Sequence, residues 1–453
     1  MLSKPSVLYG RVQELAADRR GVTAIVTGIA LTVILGFAGL AIDVAAWLNA
    51  TRGMQAAADQ AAYSAASAAG TNGCGVASAS TQALAISAAR GYTNGVDHTT
   101  VTVTCNASAS TYTVRIDQVQ PMWFANLFLS SAPTATASAV AQLASRVSDL
   151  CVLAPDGTNV SAAIIGSDTG AAGAIGNTTI NLRCGIAVDS SSSTAMTVGG
   201  SASVTATDVY LVGDMAAPSG HGSLTTAPTA NNILRHQPPV VDPYLDRTFS
   251  TPLSCTNPVG SRPAVPGNGA LPAGTYCGGL TLGQSGGGHS GDNYVLSGVY
   301  YIVGGELRIN ASARVQGTGV TFVLTGNALG QVGYATVSIN GNAQVSLTAP
   351  TDGPFGGLVF FQDRSAPFSP NTNCGNGNAQ NKFNGGSDQL ITGAIYFPNQ
   401  SVCFTGNSSV SGPGQCTQLI GRTLDFTGNS DIRFTCAGTG ISPISVLVPT
   451  LIN

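Results

Sequence analysis

Between Gly21 and Ile42 no side chain is charged and most are apolar, while charged positions crowd on either side. At about 1.5 Å of rise per residue, a helix over this run covers a hydrocarbon core of about 30 Å. Lys4, Arg11, Arg19 and Arg20 precede it against Glu14 and Asp18, and Asp43 and Arg52 follow it. The positive-inside rule puts such an N-terminus in the cytoplasm and everything after Leu48 across the membrane. The run exceeds the core of a cleavable signal peptide, which favours an anchor, although Val44 and Ala46 offer small residues for cleavage. Arg19-Arg20 reads as a cytoplasmic flank rather than a twin-arginine signal. Beyond Asp43 the chain stays rich in alanine and free of proline as far as Ala69, so one helix continues until Gly70, Asn72 and Gly73 stop it. Ala24, Gly28, Thr32 and Gly36 recur every fourth residue and share a face, a spacing that lets two membrane helices approach closely; small residues are also common in such helices. Asp43, at the end of the run, is expected to be interfacial and solvated.

After this helix the period changes. Residues 71–148 read as a small α+β unit: a helix at Thr81 to Arg90, alternating strands at Val101 to Cys105 and Tyr112 to Val119, and a third strand at Ala135 to Val140. Between them Met122, Trp123, Phe124, Leu127 and Phe128 form an apolar cluster, of which Trp123, Phe124 and Phe128 are expected to close that unit's core, with an exposed binding platform as the alternative. From residue 149 to about 440, helical periodicity gives way to short apolar alternations separated by Gly, Asn and Ser. Five segments share one template, apolar-x-apolar, a small polar corner, then a further apolar residue: Met196 to Val204, Leu307 to Val315, Val337 to Val345, Val402 to Val410 and Leu424 to Ile432. Corners that tolerate positive φ and strands that bury alternate residues predict a right-handed parallel β-helix, with a β-sandwich as the alternative. Asn and Ser at matching corners could stack as polar ladders. Residues 215–272 are dense in proline and are read as a partly flexible excursion from the solenoid, and residues 441–453 as a C-terminal tail. The fold class is thus mainly β, behind an N-terminal transmembrane helix (residues 21–70) and a cytoplasmic stretch (residues 1–20).

Composition sharpens the compartment. Charged residues make up 9% of the chain, with Gly and small polar residues taking their place, and the net charge of -3 offers no basic field for nucleic acid. All 10 cysteines follow the apolar run, which points to disulfides in an oxidising compartment. Proximity along the chain suggests Cys74 with Cys105, Cys151 with Cys184 and Cys255 with Cys277, leaving Cys374, Cys403, Cys416 and Cys436 open. No C-x-x-C occurs and His98, His221, His236 and His289 are scattered, so no metal site is expected. Asp189-Ser190-Ser191-Ser192-Ser193 has the D-x-S-x-S spacing of a metal-binding loop but lacks the α/β context, and is read as a serine-rich turn. The acids Glu306, Asp352, Asp363, Asp388, Asp425 and Asp431 are spread out, and the densest group, Asp425 and Asp431 with Arg422 and Arg433, reads as a solvated face. Catalytic residues and cofactors are therefore expected to be none, and the chain is read as no enzyme.

Arg20-Gly21, the apolar run, Ile42-Asp43 and Gln55-Ala-Ala-Ala-Asp59 resemble the N-terminal segment of the TadE/TadG-like proteins of Flp (tight adherence) pilus assembly. The resemblance covers about the first 70 residues. The strand, strand, aromatic helix, strand order that follows, and the glycine-rich stretches Leu271 to Leu280, Gly298 to Gly305 and Gly317 to Phe322, are similar to exported parts of TadG-like members. Val26 stands where pseudopilin processing after Gly21 would need a glutamate, so an uncleaved, TadG-like anchor is implied. The resemblance implies an accessory or minor component of Flp pilus assembly, in the inner membrane of a bacterium, with the bulk periplasmic or extracellular. Its partners would be the membrane through a single span, other pilus-assembly proteins or a second copy through the helix, and surface polysaccharide, but no nucleic acid. The alternative function is a membrane-tethered protein that binds or cleaves polysaccharide.

Overall fold

The computed structural model describes residues 20–70, 74, 77–147, 149–155, 163–165, 179–227, 232–252, 254–256, 269–283, 292–311, 313–368, 381–385, 389–406, 408–409, 416–427, 430–432, 436 and 438–452. The expected cytoplasmic stretch before Arg20, and Cys374, His289, Asp388 and Arg433, lie outside the described residues. The chain divides into two compact units, one of residues 1–144 with 449–453 and one of residues 145–448.

The first unit is built on α1, Arg20–Ala69, a continuous helix of 50 residues. Along its second half Met54, Ala57, Ala58, Ala61, Ala62, Ala65, Ala66 and Ala69 are buried at helical spacing. They pack against Ala79 and Ala83 of α2, Ala77–Ala89, and against a sheet that supplies Val101, Val114, Ile116, Ala137 and Ala139. That sheet runs β1 (Thr99–Asn106), β2 (Thr111–Val119), β3 (Thr134–Val147), with Ser445–Ile452 from the far end of the chain as its fourth strand. Its first two pairings are antiparallel, Val103 facing Val114 and Val114 facing Ala139. Methyl-sized side chains bring the helix close to its neighbours: a Cβ on Gly53 would stand 2.6 Å from the Tyr92 hydroxyl.

This close packing corrects one expectation. The aromatic cluster does not close the core: the space between helix and sheet is filled by the alanine face and by Tyr112, Val114 and Ile116 of the sheet. Trp123, Phe124, Leu127 and Phe128 are exposed, on a loop whose only helical element is a 3-10 turn at Ala125–Leu127.

In the second unit the ladders among the described strands are parallel. In chain order the principal strands are β4 (Leu150–Ala154), β5 (Gly185–Val188), β6 (Val209–Leu211), β7 (Asp292–Val303), β8 (Ala313–Thr325), β9 (Gln344–Thr348), β10 (Leu358–Gln362), β11 (Gln389–Gly406) and β12 (Thr417–Phe426). Pairing proceeds β7 to β8 to β10 to β11 to β12, and then β12 pairs with β4, followed by β5 and β6. The first strands of the unit are therefore added beyond its last. β8 and β11 are long enough to pair twice, with β9 as well as β10, so that β8, β9, β11 and β10 close a ring of four parallel strands. Such a pattern leaves no place for the antiparallel hairpins of a Greek-key sandwich.

The repeat template is the register of these pairings. Leu307 faces Val337 and Ile309 faces Ile339; Val315 faces Val345; Val402 faces Leu424 and Phe404 faces Phe426. At the corners the Asn340 amide donates to Asn310 Oδ1 at 3.1 Å, and Asn310 donates to the Gly283 carbonyl at 2.8 Å, so the asparagines form a ladder. Asn342 adopts φ +66°, the corner conformation that favours Gly and Asn. Inside, Tyr276, Tyr300, Phe322, Phe360, Phe383, Phe404 and Phe426 follow one another through the core with successive ring centroids 5.1 to 6.3 Å apart.

The proline-dense stretch is a strap rather than a loose excursion over its described part. Ile233–Leu234 pairs at the β6 end of the stack and Gly269–Ala270 pairs with β7 at the other. On the way Val240 and Tyr244 are buried, the Val240 N–H donates to Asp189 Oδ1 at 2.9 Å, and the Tyr244 hydroxyl donates to Gln418 Oε1 at 2.8 Å. Arg364 holds it from outside, donating to the carbonyls of Arg247 and Tyr244, and the Tyr396 hydroxyl donates to Asp242 at 2.5 Å.

Candidate functional site

The feature with functional content is α1 and the loop beside it. The helix over Thr23–Ala69 is long and apolar enough to cross a membrane, and large apolar side chains of its first half, Ile25, Ile29, Ile34 and Phe37 among them, have no protein cover. Of the four small residues expected to pack helices, Gly28 has open space on its side-chain side, with nothing within 4 Å of where a Cβ would stand, and Thr32 donates its hydroxyl to the Gly28 carbonyl at 2.9 Å. Ala24 lines the same open face, whereas Gly36 is taken up within the chain, where a Cβ would lie 3.6 Å from the Phe128 ring.

Asp43 is the second correction. Its side chain is buried, and its carboxylate accepts three consecutive backbone N–H groups, from Trp123 at 3.3 Å, Phe124 at 2.8 Å and Ala125 at 2.5 Å. These are the unpaired donors at the start of the 3-10 turn, which a carboxylate satisfies well. Two further contacts hold the loop to the helix. The Trp47 indole donates to the Pro121 carbonyl at 2.9 Å, and Gly39 lets the Phe124 ring lie where a Cβ would meet it at 2.7 Å. The signals available in the sequence are the lone aspartate ending an apolar run and the Trp-Phe pair far downstream. Nothing periodic connects residues 81 positions apart.

The other candidates have structural partners. Disulfides join Cys74 to Cys105, Cys151 to Cys184, Cys255 to Cys277 and Cys416 to Cys436, and Cys403 is also disulfide-bonded. Asp189 opens a turn in which Ser192 N–H donates to Ser190 Oγ and Gly213 N–H donates to the Ser190 carbonyl. Burial pushes the Asp189 carboxyl up to about 7, against the opposing pull of the Val240 N–H. Glu306 pairs with Arg308 on its own strand, and Asp363 accepts from Thr325 Oγ1 at 2.7 Å and from the Ser365 N–H. Among the described residues, no three His, Cys, Asp or Glu side chains gather closely enough to hold a metal ion.

Residues 21–68 match the family model described as "Putative Flp pilus-assembly TadE/G-like". The match spans α1 almost from end to end, so the resemblance read from this segment of the sequence is shown for it. No curated protein and no solved structure matches the chain.

Proposed function

We propose that the protein is a membrane-anchored accessory or minor component of Flp pilus assembly, TadG-like in plan. The observation that carries this reading is the TadE/G-like match on a helix that divides into an uncovered apolar half and an alanine-faced half packed under a sheet. Residues 21–42 span the inner membrane of a bacterium with the N-terminus in the cytoplasm, and the chain beyond the span stands in the periplasm or at the cell surface. The charge distribution and the disulfides support that orientation. The parallel strands of the second unit form a β-helix whose long, weakly charged faces serve structural or adhesive contacts, and no catalytic role is assigned to it. In-register stacking of the repeat copies supports the β-helix.

The test is deletion of the gene in its own host, with complementation by the full chain and by a chain lacking residues 145–448. Loss of surface Flp filaments, restored by the full chain, is the expected result. Unchanged filament number in the deletion strain would overturn the proposal.

A further inference from the structure

Five large apolar side chains on one short loop are uncovered: Trp123 (57% exposed), Phe124, Leu127 (80%), Phe128 (61%) and Leu129. Surface of that kind is rarely left to water without a reason. Its position supplies one. The Phe128 ring lies against Gly36 and the Phe124 ring against Gly39, both within the apolar run that ends at Ile42. At about 1.5 Å per residue these contacts fall about 9 Å and about 4.5 Å below the end of the span.

We propose that the loop Pro121 to Leu129 is a membrane-inserted wedge, seated in the outer leaflet of the lipid bilayer beside α1. Its apolar surface is continuous with that of the span, where Ile29, Ile34 and Phe37 are equally uncovered. Taking backbone into that depth requires its N–H groups to be satisfied internally. Asp43 does this for Trp123, Phe124 and Ala125, and the Phe124, Ala125 and Pro133 carbonyls accept the N–H groups of Leu127, Phe128 and Gln120. Trp47 and Trp123 then sit at the level where indoles concentrate in membrane proteins. The span acquires a collar on one side, which fixes its rotation and leaves the Ala24 and Gly28 face open. The inference rests on residues 21–42 being a span.

The test uses the full chain in bilayers whose lipids carry bromine either near the headgroup end or near the methyl end of the acyl chain. Trp47→Phe isolates Trp123, and Phe128→Trp in a chain that also carries Trp47→Phe and Trp123→Phe reports the deeper position. The wedge predicts loss of Trp123 emission with headgroup-end bromine, a deeper quenching maximum for the reporter at 128, and protection of both from aqueous iodide. The parent chain, whose emission less that of Trp123→Phe gives the Trp123 signal with Trp47 in place, checks that removing Trp47 has not displaced the loop. Quenching by iodide but not by bromine would overturn the proposal, and so would protection from both, since another protein or a second copy would then cover the loop. Release of the chain by alkali would overturn the span and the wedge together, whereas alkali-resistant protein with bromine-insensitive Trp123 would overturn the wedge alone.

Discussion

Phe383 tests the aromatic core. Its side chain is fully buried, with Phe404 stacked at 5.1 Å, Phe360 edge-on at 5.5 Å and Phe397 at 6.4 Å. Phe383→Ala removes the buried ring and leaves a cavity between strands whose backbones are fixed by pairing with Ser338–Ile339 on one side and Cys403–Gly406 on the other. Such a site collapses poorly, so the cost should lie near the top of the usual range for Phe→Ala, about 4 to 5 kcal/mol. Phe383→Leu keeps most of the volume and forfeits the ring geometry, for about 1 to 2 kcal/mol. Among the described residues Phe426 has a ring partner on one side, Phe404 at 5.2 Å, and Phe426→Ala should cost about 1 kcal/mol less than Phe383→Ala. Val332, 94% exposed, is the control, and Val332→Ser should stay within about 0.5 kcal/mol of the parent. Because the chain has two units, the signal must be local to the second. Pulse proteolysis across a urea series, followed by fragments from residues 145–448, provides it. If Phe383→Ala resisted urea as well as Val332→Ser does, the stacked core would be refuted.

Other expectations concern the links between strands. Replacing Cys151 and Cys184 by Ser opens a loop closed across 33 positions, which the chain-entropy relation puts at about 3.7 kcal/mol; chemical denaturation of the second unit would show it. For Asp189, a carboxyl held up at about 7 when folded and near 3.8 when unfolded, stability is greatest below pH 4 and falls as pH rises through 7. At about 1.36 kcal/mol per pH unit the loss is of order 4 kcal/mol, and Asp189→Asn should flatten the stability profile over that window. Tyr244→Phe deletes a buried hydroxyl that donates to Gln418 and accepts from the Ser442 N–H, at a cost of about 1 to 3 kcal/mol. Faster proteolytic cleavage within Pro238 to Phe249 would register it.

What can be read in the sequence is local. The Gly and Asn corners and alternating apolar positions of Leu307 to Val315 and Val337 to Val345 encode both strands and register, since copies with the same inward residues stack most easily. The order of stacking is not encoded in that way. β12 meets β4 from the opposite end of the unit, and no period records a junction of that kind. The strap is hard to foresee because proline density marks irregular backbone whether or not it is packed, and its anchors, Val240, Tyr244 and Asp242, are single residues. In the first unit the alanine face of α1 is visible as helix propensity, yet the residues that cover it, Tyr112, Val114 and Ile116 rather than Trp123 and Phe124, depend on how the sheet approaches. The Asp43 clasp is hidden for a related reason: a carboxylate at the end of an apolar run looks solvated until its partners, backbone N–H groups with no sequence signature, are in place.

The central claim is that α1 keeps the full chain in the inner membrane with everything after the span outside it. Intact mass of the protein recovered from alkali-washed membranes of its host, with and without external protease on spheroplasts, tests this directly. The account predicts an undigested mass of the whole chain, and after protease only a short remnant containing the residues before Arg20 and the span. A chain shortened near Gly21 and recovered with sheared filaments, or one shortened near Ala46 and free of the membrane, would contradict it.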